Sequence, residues 1–380
     1  MSQFEEFILC ERITFWVWKC YGLWASKDES PYYRAFRRIY HFFFTFIYLI
    51  AMFASAFYTD NLWSGIMFIL LTEIAMVTKT IVTTNRFETI YRLHRLTITE
   101  HFTPRTEHEW QVHRKLFGTL SAALMVYLLG SLSACLSHFA YLFDGQYKLP
   151  YFGWFYWVPL GKTNPTNFYW VFSYQMFGMI GHCLLNVTGD MHIIYLLAAA
   201  GSQLDLLKLR FAKLPADCNR SQTYRKTFAE NVQQYNRIHS FVRETEIAFS
   251  EPIFAQMCAS GVTICASVLR LSSINILDQI GITIPIFIYL IAMLGQIFLP
   301  CYYGNEITLK SQQLTKALFA SEWYKLAVVD RKELTRFMLR TNKPIQLKAG
   351  GFFYYNLEAF TATLNTAYSI YAVVNRKQRS

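Results

Sequence analysis

Seven stretches of this chain stay apolar long enough to cross a bilayer as helices: residues 39–57, 62–84, 116–143, 168–201, 253–277, 280–303 and 351–374. About 20 apolar residues reach across the hydrocarbon as a helix, and a helix satisfies every backbone N–H and C=O within one segment. An earlier aromatic stretch, 13–24, is broken by Lys19 and Gly22 and is too short to cross. It reads as a helix lying against the membrane surface or the bundle. Two connections keep a helical rhythm. Leu207, Phe211 and Leu214, then Phe228, Val232, Tyr235, Ile238 and Val242, recur at three and four over 204–249. Leu309, Leu314, Leu318, Trp323, Leu326, Leu334 and Phe337 follow a looser version of that rhythm over 306–339, with steps of three and four interrupted by longer ones. Such helices extend the bundle beyond the membrane, and an amphipathic face with no partner in its own chain commonly packs on another subunit.

Composition agrees with this pattern. Hydrophobic residues make up 53% of the 380 positions and charged residues 16%, with 33 Phe and 25 Tyr. A water-soluble chain of this length needs more charge to cover its surface, so much of the apolar surface meets lipid. The first forty residues carry Glu5, Glu6, Glu11 and Arg12 and no small-residue cleavage site after an early apolar core. No removable targeting segment is expected there.

The net charge of +11 does not point to nucleic acid, because its distribution follows the spans. Thirty of the 36 Lys and Arg lie in the N-terminal segment and in the connections after spans two, four and six, counting Lys79 at the end of span two. The other six are Lys148, Lys162, Arg270, Arg376, Lys377 and Arg379. Cytoplasmic loops carry the excess of Lys and Arg. The expected fold is therefore all-α: a polytopic membrane protein with seven transmembrane helices, N-terminus inside, C-terminus outside, and a cytoplasmic helical anchor region after the sixth. A G-protein-coupled receptor has the opposite orientation. The chain also has no Asp-Arg-Tyr after span three and no proline in its last span, so no G protein is expected.

Candidate chemistry is sparse. Cys10, Cys20, Cys135, Cys183, Cys218, Cys258, Cys265 and Cys301 lie in helices or in segments placed inside the cell. They read as buried small hydrophobes rather than disulfides. The histidines lack metal-ligand spacing, the glycines form no phosphate loop, and no catalytic constellation is present. No enzyme activity, metal or cofactor is expected. Asn186-Val187-Thr188 lies within a span and Asn219-Arg220-Ser221 inside the cell, so neither is expected to be glycosylated. Ionisable residues inside spans are costly, about 2.5–3.5 kcal/mol for a charge at mid-membrane. Glu73, Lys79, Asp190, His192 and Arg270 are such residues. Glu73 is placed to pair across the bundle, while Lys79 and Asp190, nearer the inner end, suit a structural role. The loop 142–167 is rich in aromatics and Pro; it either folds over the mouth of the bundle or forms an interfacial belt.

The closing third of the chain carries a resemblance. Pro300-Cys301-Tyr302-Tyr303-Gly304-Asn305-Glu306 is followed by Ser311, Leu314, Ala317, Ser321, Trp323 and Tyr324. Phe337-Met338, Lys343-Pro344-Ile345, Leu347, Ala349-Gly350-Gly351-Phe352, Leu357-Glu358, Phe360, Ala367-Tyr368-Ser369 and Tyr371-Ala372-Val373-Val374 come next. In this order and spacing the strings resemble the signature of insect odorant receptors, in detail over about the last 80 residues and in topology over the whole chain. Gustatory receptors share the topology and a related closing motif; Tyr303-Gly304-Asn305-Glu306 favours the olfactory branch.

The resemblance implies an odorant-binding subunit of a ligand-gated, non-selective cation channel, heterotetrameric with the odorant receptor coreceptor. It also implies the plasma membrane of olfactory sensory neuron dendrites, with small volatile odorant and membrane lipid as partners. On that basis 1–38 is a cytoplasmic segment and 39–303 holds helices one to six. Residues 304–350 hold anchor helices and a hinge, and 351–380 the pore-lining helix and an extracellular tail. Thr363, Thr366, Ile370, Val373 and Lys377 share one helix face at spacings of three and four. Small hydroxyls below an apolar side chain suit a hydrated path closed by a hydrophobic constriction, and Val373 matches the position of the family's valine gate. Pro344, Gly350 and Gly351 are candidate hinge residues. The pocket is expected in the outer halves of spans two, three, four and six. Its candidate lining is Met67, Leu70 and Ile74; Ala134, Ser137, His138 and Tyr141; Tyr174, Gly178, Gly181 and His182; Ile282, Ile286 and Tyr289. Glycines there leave room beside an aromatic, and a tyrosine offers stacking area with one hydrogen bond. Arg376, Lys377 and Arg379 follow the gate. Four copies would set like charges about 8 Å apart at roughly 0.5 kcal/mol per pair in water, about 3 kcal/mol in all. This favours a minority subunit in a hetero-oligomer.

Overall fold

The computed structural model describes residues 9–56, 67–142, 149, 165–214, 221–272 and 280–379. The side chains of Met67, Tyr141, Ile282 and Lys377, and most of loop 142–167, lie outside the described residues. The order is α1 (Leu9–Cys20), α2 (Pro31–Tyr40), α3 (Tyr48–Ala56), α4 (Met67–Asn85), α5 (Phe87–Thr97), α6 (Glu107–Leu136), α7 (Pro165–Ala212), α8 (Ser221–Ser272), α9 (Ile280–Ala320) and α10 (Val328–Thr341). A short antiparallel hairpin, β1 (Lys348–Ala349) and β2 (Phe353–Tyr354), then leads into α11 (Leu357–Arg379). A π-helical stretch, His41–Ile47, joins α2 to α3 without a break.

The fold is all-α, as the apolar pattern requires. Among the described residues, Pro31–Ser55, Glu107–Phe139, Thr166–Ala212, Gln222–Ser272 and Ile286–Ala320 are long and apolar enough to cross a membrane. The other two predicted spans are also helices, α4 and α11. Their hydropathy is diluted, in α4 by Thr72, Glu73, Thr78, Lys79 and Thr80, and in α11 by Thr361, Thr363, Asn365 and Thr366. Helix starts follow local chemistry. The Ser30 hydroxyl accepts from Tyr33 N–H (3.2 Å) ahead of Pro31, and the Thr106 hydroxyl accepts from Glu109 N–H (3.3 Å).

Helix α7 is the central column. From 185 to 207 every residue except Asp205 is buried, which is the pattern of a helix apolar all round. Around it pack α1, α4, α6, α8 and α9, with α8 also holding α11. The aromatic segment near the N-terminus packs on this bundle: Val17 and Trp18 of α1 are buried in its core.

Three expectations are corrected. The last span does not begin at residue 351. Gly350 and Gly351 take φ of +58° and +78° and turn the β1–β2 hairpin, so the helix starts at Leu357. The helices at the charged end are partnered within the chain, because Phe337 of α10 lies 5.5 Å from Phe211, 5.8 Å from Phe228 and 5.4 Å from Tyr235 between ring centroids. What they leave open is a different face, with Phe319, Tyr324, Val328, Val329 and Leu339 exposed. The cysteines are not uniformly buried: Cys265 and Cys301 are, whereas Cys20 and Cys258 lie on the chain surface.

One proline is accommodated by a specific partner. Pro252 sits inside α8 and cannot donate to the carbonyl of Ala248. Arg86 donates to that carbonyl (3.2 Å) and binds the Glu251 carboxylate in a fork (2.7 and 2.8 Å).

Candidate functional site

The predicted pocket residues gather in two groups. Leu70 of α4 is buried with Tyr48 and Met52 of α3, and Tyr174 of α7 packs on the same cluster. The Tyr174 hydroxyl donates to the Phe43 carbonyl at 2.6 Å. Gly178 lies under the Tyr48 ring: a Cβ there would sit 2.4 Å from Tyr48 Cε2. A Cβ at Gly181 would sit 2.6 Å from the Tyr40 hydroxyl and 2.9 Å from the Tyr21 ring. The room left by these glycines is therefore filled by Tyr40 and Tyr48 of span one and by Tyr21 rather than kept open. Gly178→Ala is expected to push Tyr48 aside and lower stability by about 1–3 kcal/mol, read by thermal unfolding. Gly118→Ala, with nothing within 4 Å of its Cβ, is the matched neutral change.

The second group is polar. Tyr289 of α9 shares a hydrogen bond with Thr72 of α4 at 2.6 Å. One residue on, Glu73 pairs across the bundle with His182 of α7 at 2.7 Å, and the His182 ring meets the Tyr48 ring edge-on at 4.8 Å. Ile286 is half-buried one turn before Tyr289. The remaining candidates stand apart. Ile74 is 42% exposed on the outside of the bundle. The Ser137 hydroxyl donates to the Ala134 carbonyl (2.7 Å), and His138 Nδ1 lies 3.2 Å from that same oxygen, so both turn back on the end of α6.

Eight residues along α7 from His182, about 12 Å at 1.5 Å per residue, lies a second polar layer. Lys79 Nζ donates to Asp190 Oδ1 (2.5 Å) and Asn186 Oδ1 (2.7 Å). Asp190 Oδ2 accepts from Tyr127 (3.2 Å) and Gln296 Nε2 (2.5 Å). This joins α4, α6, α7 and α9 through one carboxylate. A small cleft borders it, lined also by Gln256, Pro300, Cys301 and Tyr355.

Span one is the feature that sequence reasoning leaves out of the candidate lining; Glu73 pairs across the bundle as expected, with the pocket candidate His182. A signal existed: Tyr40, Phe44 and Tyr48 recur at four residues, so they share one face of a continuous helix.

Helix α11 divides cleanly. Ala359, Phe360, Thr363, Leu364, Ala367, Ile370 and Tyr371 are buried or half-buried, with Thr363 against Gly261 of α8. Thr361, Asn365, Thr366, Ser369 and Val373 are exposed. The predicted stripe therefore straddles the boundary: Thr366 and Val373 lie on the open side, Thr363 and Ile370 on the packed one. The helix base is anchored firmly. Gly350 N–H donates to Ser250 Oγ (2.8 Å) and Lys348 N–H to Glu246 Oε1 (3.0 Å). Past Pro344, Ile345 N–H donates to Ser311 Oγ (3.0 Å).

Leu70, Tyr48 and Tyr174 thus bring apolar and aromatic surface together, and Thr72, Tyr289, Glu73 and His182 bring polar groups. The chain is 29% identical over 98% of its length to Odorant receptor 94a of Drosophila melanogaster, covering 99% of that protein. It is 24% identical over 96% to Odorant receptor Or1 of Anopheles gambiae, covering 95% of it. Its fold matches the solved structure of the insect olfactory receptor OR5 from Machilis hrabei in complex with eugenol, with TM-score 0.83 over 97% of both chains and 14% identity. The 7tm Odorant receptor family model aligns with residues 61–368, and with this breadth of agreement the chain belongs to the odorant receptor family.

Proposed function

We propose that this chain is the odorant-binding subunit of a ligand-gated cation channel, with α11 lining the pore and its N-terminus inside the cell. The observation that carries the reading is the open face of α11. Thr361, Asn365, Thr366 and Ser369 are polar and exposed on a helix otherwise packed in an apolar bundle. The hydroxyls donate to carbonyls of their own helix, but an Asn365 amide facing hydrocarbon is costly, whereas water in a shared pore accommodates it. Val373, 69% exposed near the outer end of that face, supplies an apolar constriction. The exposed Phe319, Tyr324, Val328, Val329 and Leu339 supply the apolar patch by which neighbouring subunits would meet at the cytoplasmic end. The ligand sits among Leu70, Thr72, Tyr174, Glu73, His182 and Tyr289, and the plasma membrane of olfactory sensory neurons is the expected setting.

Because Arg376, Lys377 and Arg379 crowd the outer tail, one or a few copies work beside an uncharged coreceptor subunit. Expression with that coreceptor is expected to give odour-evoked cation currents whose ion permeability changes in Asn365→Asp. A tag after Ser380 is expected to be reachable on intact cells, and one before Met1 hidden. A reachable N-terminus, or permeability indifferent to Asn365→Asp, would remove the reading.

A further inference from the structure

Three residues far apart in the chain converge at the junction of α1, α5 and α7. Glu11 of α1, His94 of α5 and His192 of α7 are 1%, 7% and 0% exposed. His192 Nδ1 is 2.6 Å from Glu11 Oε2, and His94 Nδ1 is 3.3 Å from the same oxygen. One donor atom from each of the three lies within 4.8 Å of the others. Phe15 closes the site edge-on against both imidazoles, at 4.7 Å from His94 and 5.6 Å from His192, and Trp18 lies 5.2 Å from His192.

Hydrogen bonding within the cluster leaves groups over. Glu11 Oε1, His94 Nδ1 and His192 Nε2 are buried without a hydrogen-bond partner, as is Thr14 Oγ1 one turn along α1 from Glu11. Buried polar atoms are nearly always satisfied, so several orphans around one point indicate a missing partner. A shared proton answers for His192 and Glu11 but not for the rest. A divalent cation held by Glu11 Oε2 and the two Nδ1 atoms would give His94 Nδ1 the partner it lacks.

We propose that Glu11, His94 and His192 form a binding site for a divalent transition-metal ion of the zinc class, pinning the N-terminal helix to the bundle. The chemistry of the donor set fits: imidazole nitrogen and carboxylate oxygen both bind Zn²⁺ at about 2.0–2.2 Å, which sets neighbouring donors about 3.3 Å apart in a tetrahedral site. The His94–Glu11 separation already has that value. The His192–Glu11 contact would open by under about 1 Å to admit the ion. A water would complete four ligands.

The test uses the purified full-length chain in lipid nanodiscs, stripped with chelator and dialysed against zinc, with metal content read by elemental analysis. Wild type is expected to retain one zinc per chain, and Glu11→Gln and His94→Asn to bind at least tenfold more weakly. Glu11→Gln keeps the side chain's size, and His94→Asn keeps a polar group in place of the imidazole. Should a variant fail to fold, cobalt gives a readout on wild type alone: visible d–d bands of a four-coordinate ion, displaced by zinc and accompanied by quenching of Trp fluorescence. Stoichiometry unchanged in both variants, or a wild type that shows neither zinc retention nor cobalt bands, would overturn the assignment.

Discussion

Asp190→Ala is expected to deplete the receptor from the cell surface and abolish any ligand response. The side chains of Lys79 and Asp190 are 6% and 4% exposed, and their contact is 2.5 Å. Removing the carboxylate leaves the ammonium buried with only Asn186 as partner and strips Tyr127 and Gln296 of their acceptor. Breaking a buried pair from one side costs about 3–5 kcal/mol, because the remaining charge stays uncompensated. Against a total stability of about 5–15 kcal/mol, that is a large share. The double change Lys79→Met with Asp190→Leu removes both charges and is expected to recover much of the loss. Recovery stays incomplete, because Tyr127 and Gln296 still lack their acceptor. Surface labelling and thermal unfolding check both. A single variant that matches wild type, or a double variant no better than the single, would show that this network does not hold the four helices together.

Gly304→Ala is expected to separate α9 from the base of α11. A Cβ at Gly304 would lie 2.4 Å from Tyr355 Cβ and 2.5 Å from the Tyr355 carbonyl oxygen. The clash is with backbone and near-backbone atoms, so no rotamer change relieves it. Overpacking of this kind costs about 1–3 kcal/mol, offset in part by the better helix propensity of alanine, about 1 kcal/mol. The larger effect is geometric. Tyr355 is buried just ahead of α11, so a shift there moves the start of the helix assigned to the pore. A raised basal current, or loss of response with protein still at the surface, is the expected phenotype. Gly295→Ala, on the same helix but with nothing within 4 Å, is expected to be neutral or slightly stabilising. Equal behaviour of the two variants would refute this account. The glycine of the Tyr303-Gly304-Asn305-Glu306 string is thus explained by close approach rather than by backbone freedom.

The sequence shows the origin of these effects unevenly. Long apolar runs place the helices well, since the hydrophobic requirement of a span is local and additive along the chain. The glycine pair at 350–351 announces a turn, and the turn is there. What local pattern could not show is which residues meet. Gly178 and Gly304 look alike as small residues in apolar helices, yet one receives a Tyr48 ring and the other the Tyr355 backbone. Glu11, His94 and His192 have no recognisable spacing, because they come from three elements and approach one another only when α1 docks on α5 and α7. On the last helix, Thr363 and Ile370 are half-buried, whereas Asn365 and Ser369 are exposed, a division that spacing alone does not set.

By itself, then, the chain determined an all-helical membrane protein of a recognisable family, because span length, charge distribution and a closing motif are all linear properties. The tertiary structure alone decided that span one lines the candidate pocket, that Lys79 and Asp190 tie the central layer, and which side of α11 stays uncovered. The physical reason is that a helix's periodicity defines a face but not its azimuth. Azimuth is set by the close packing of rings, glycines and buried charges from distant segments, and those contacts exist only once the bundle has formed.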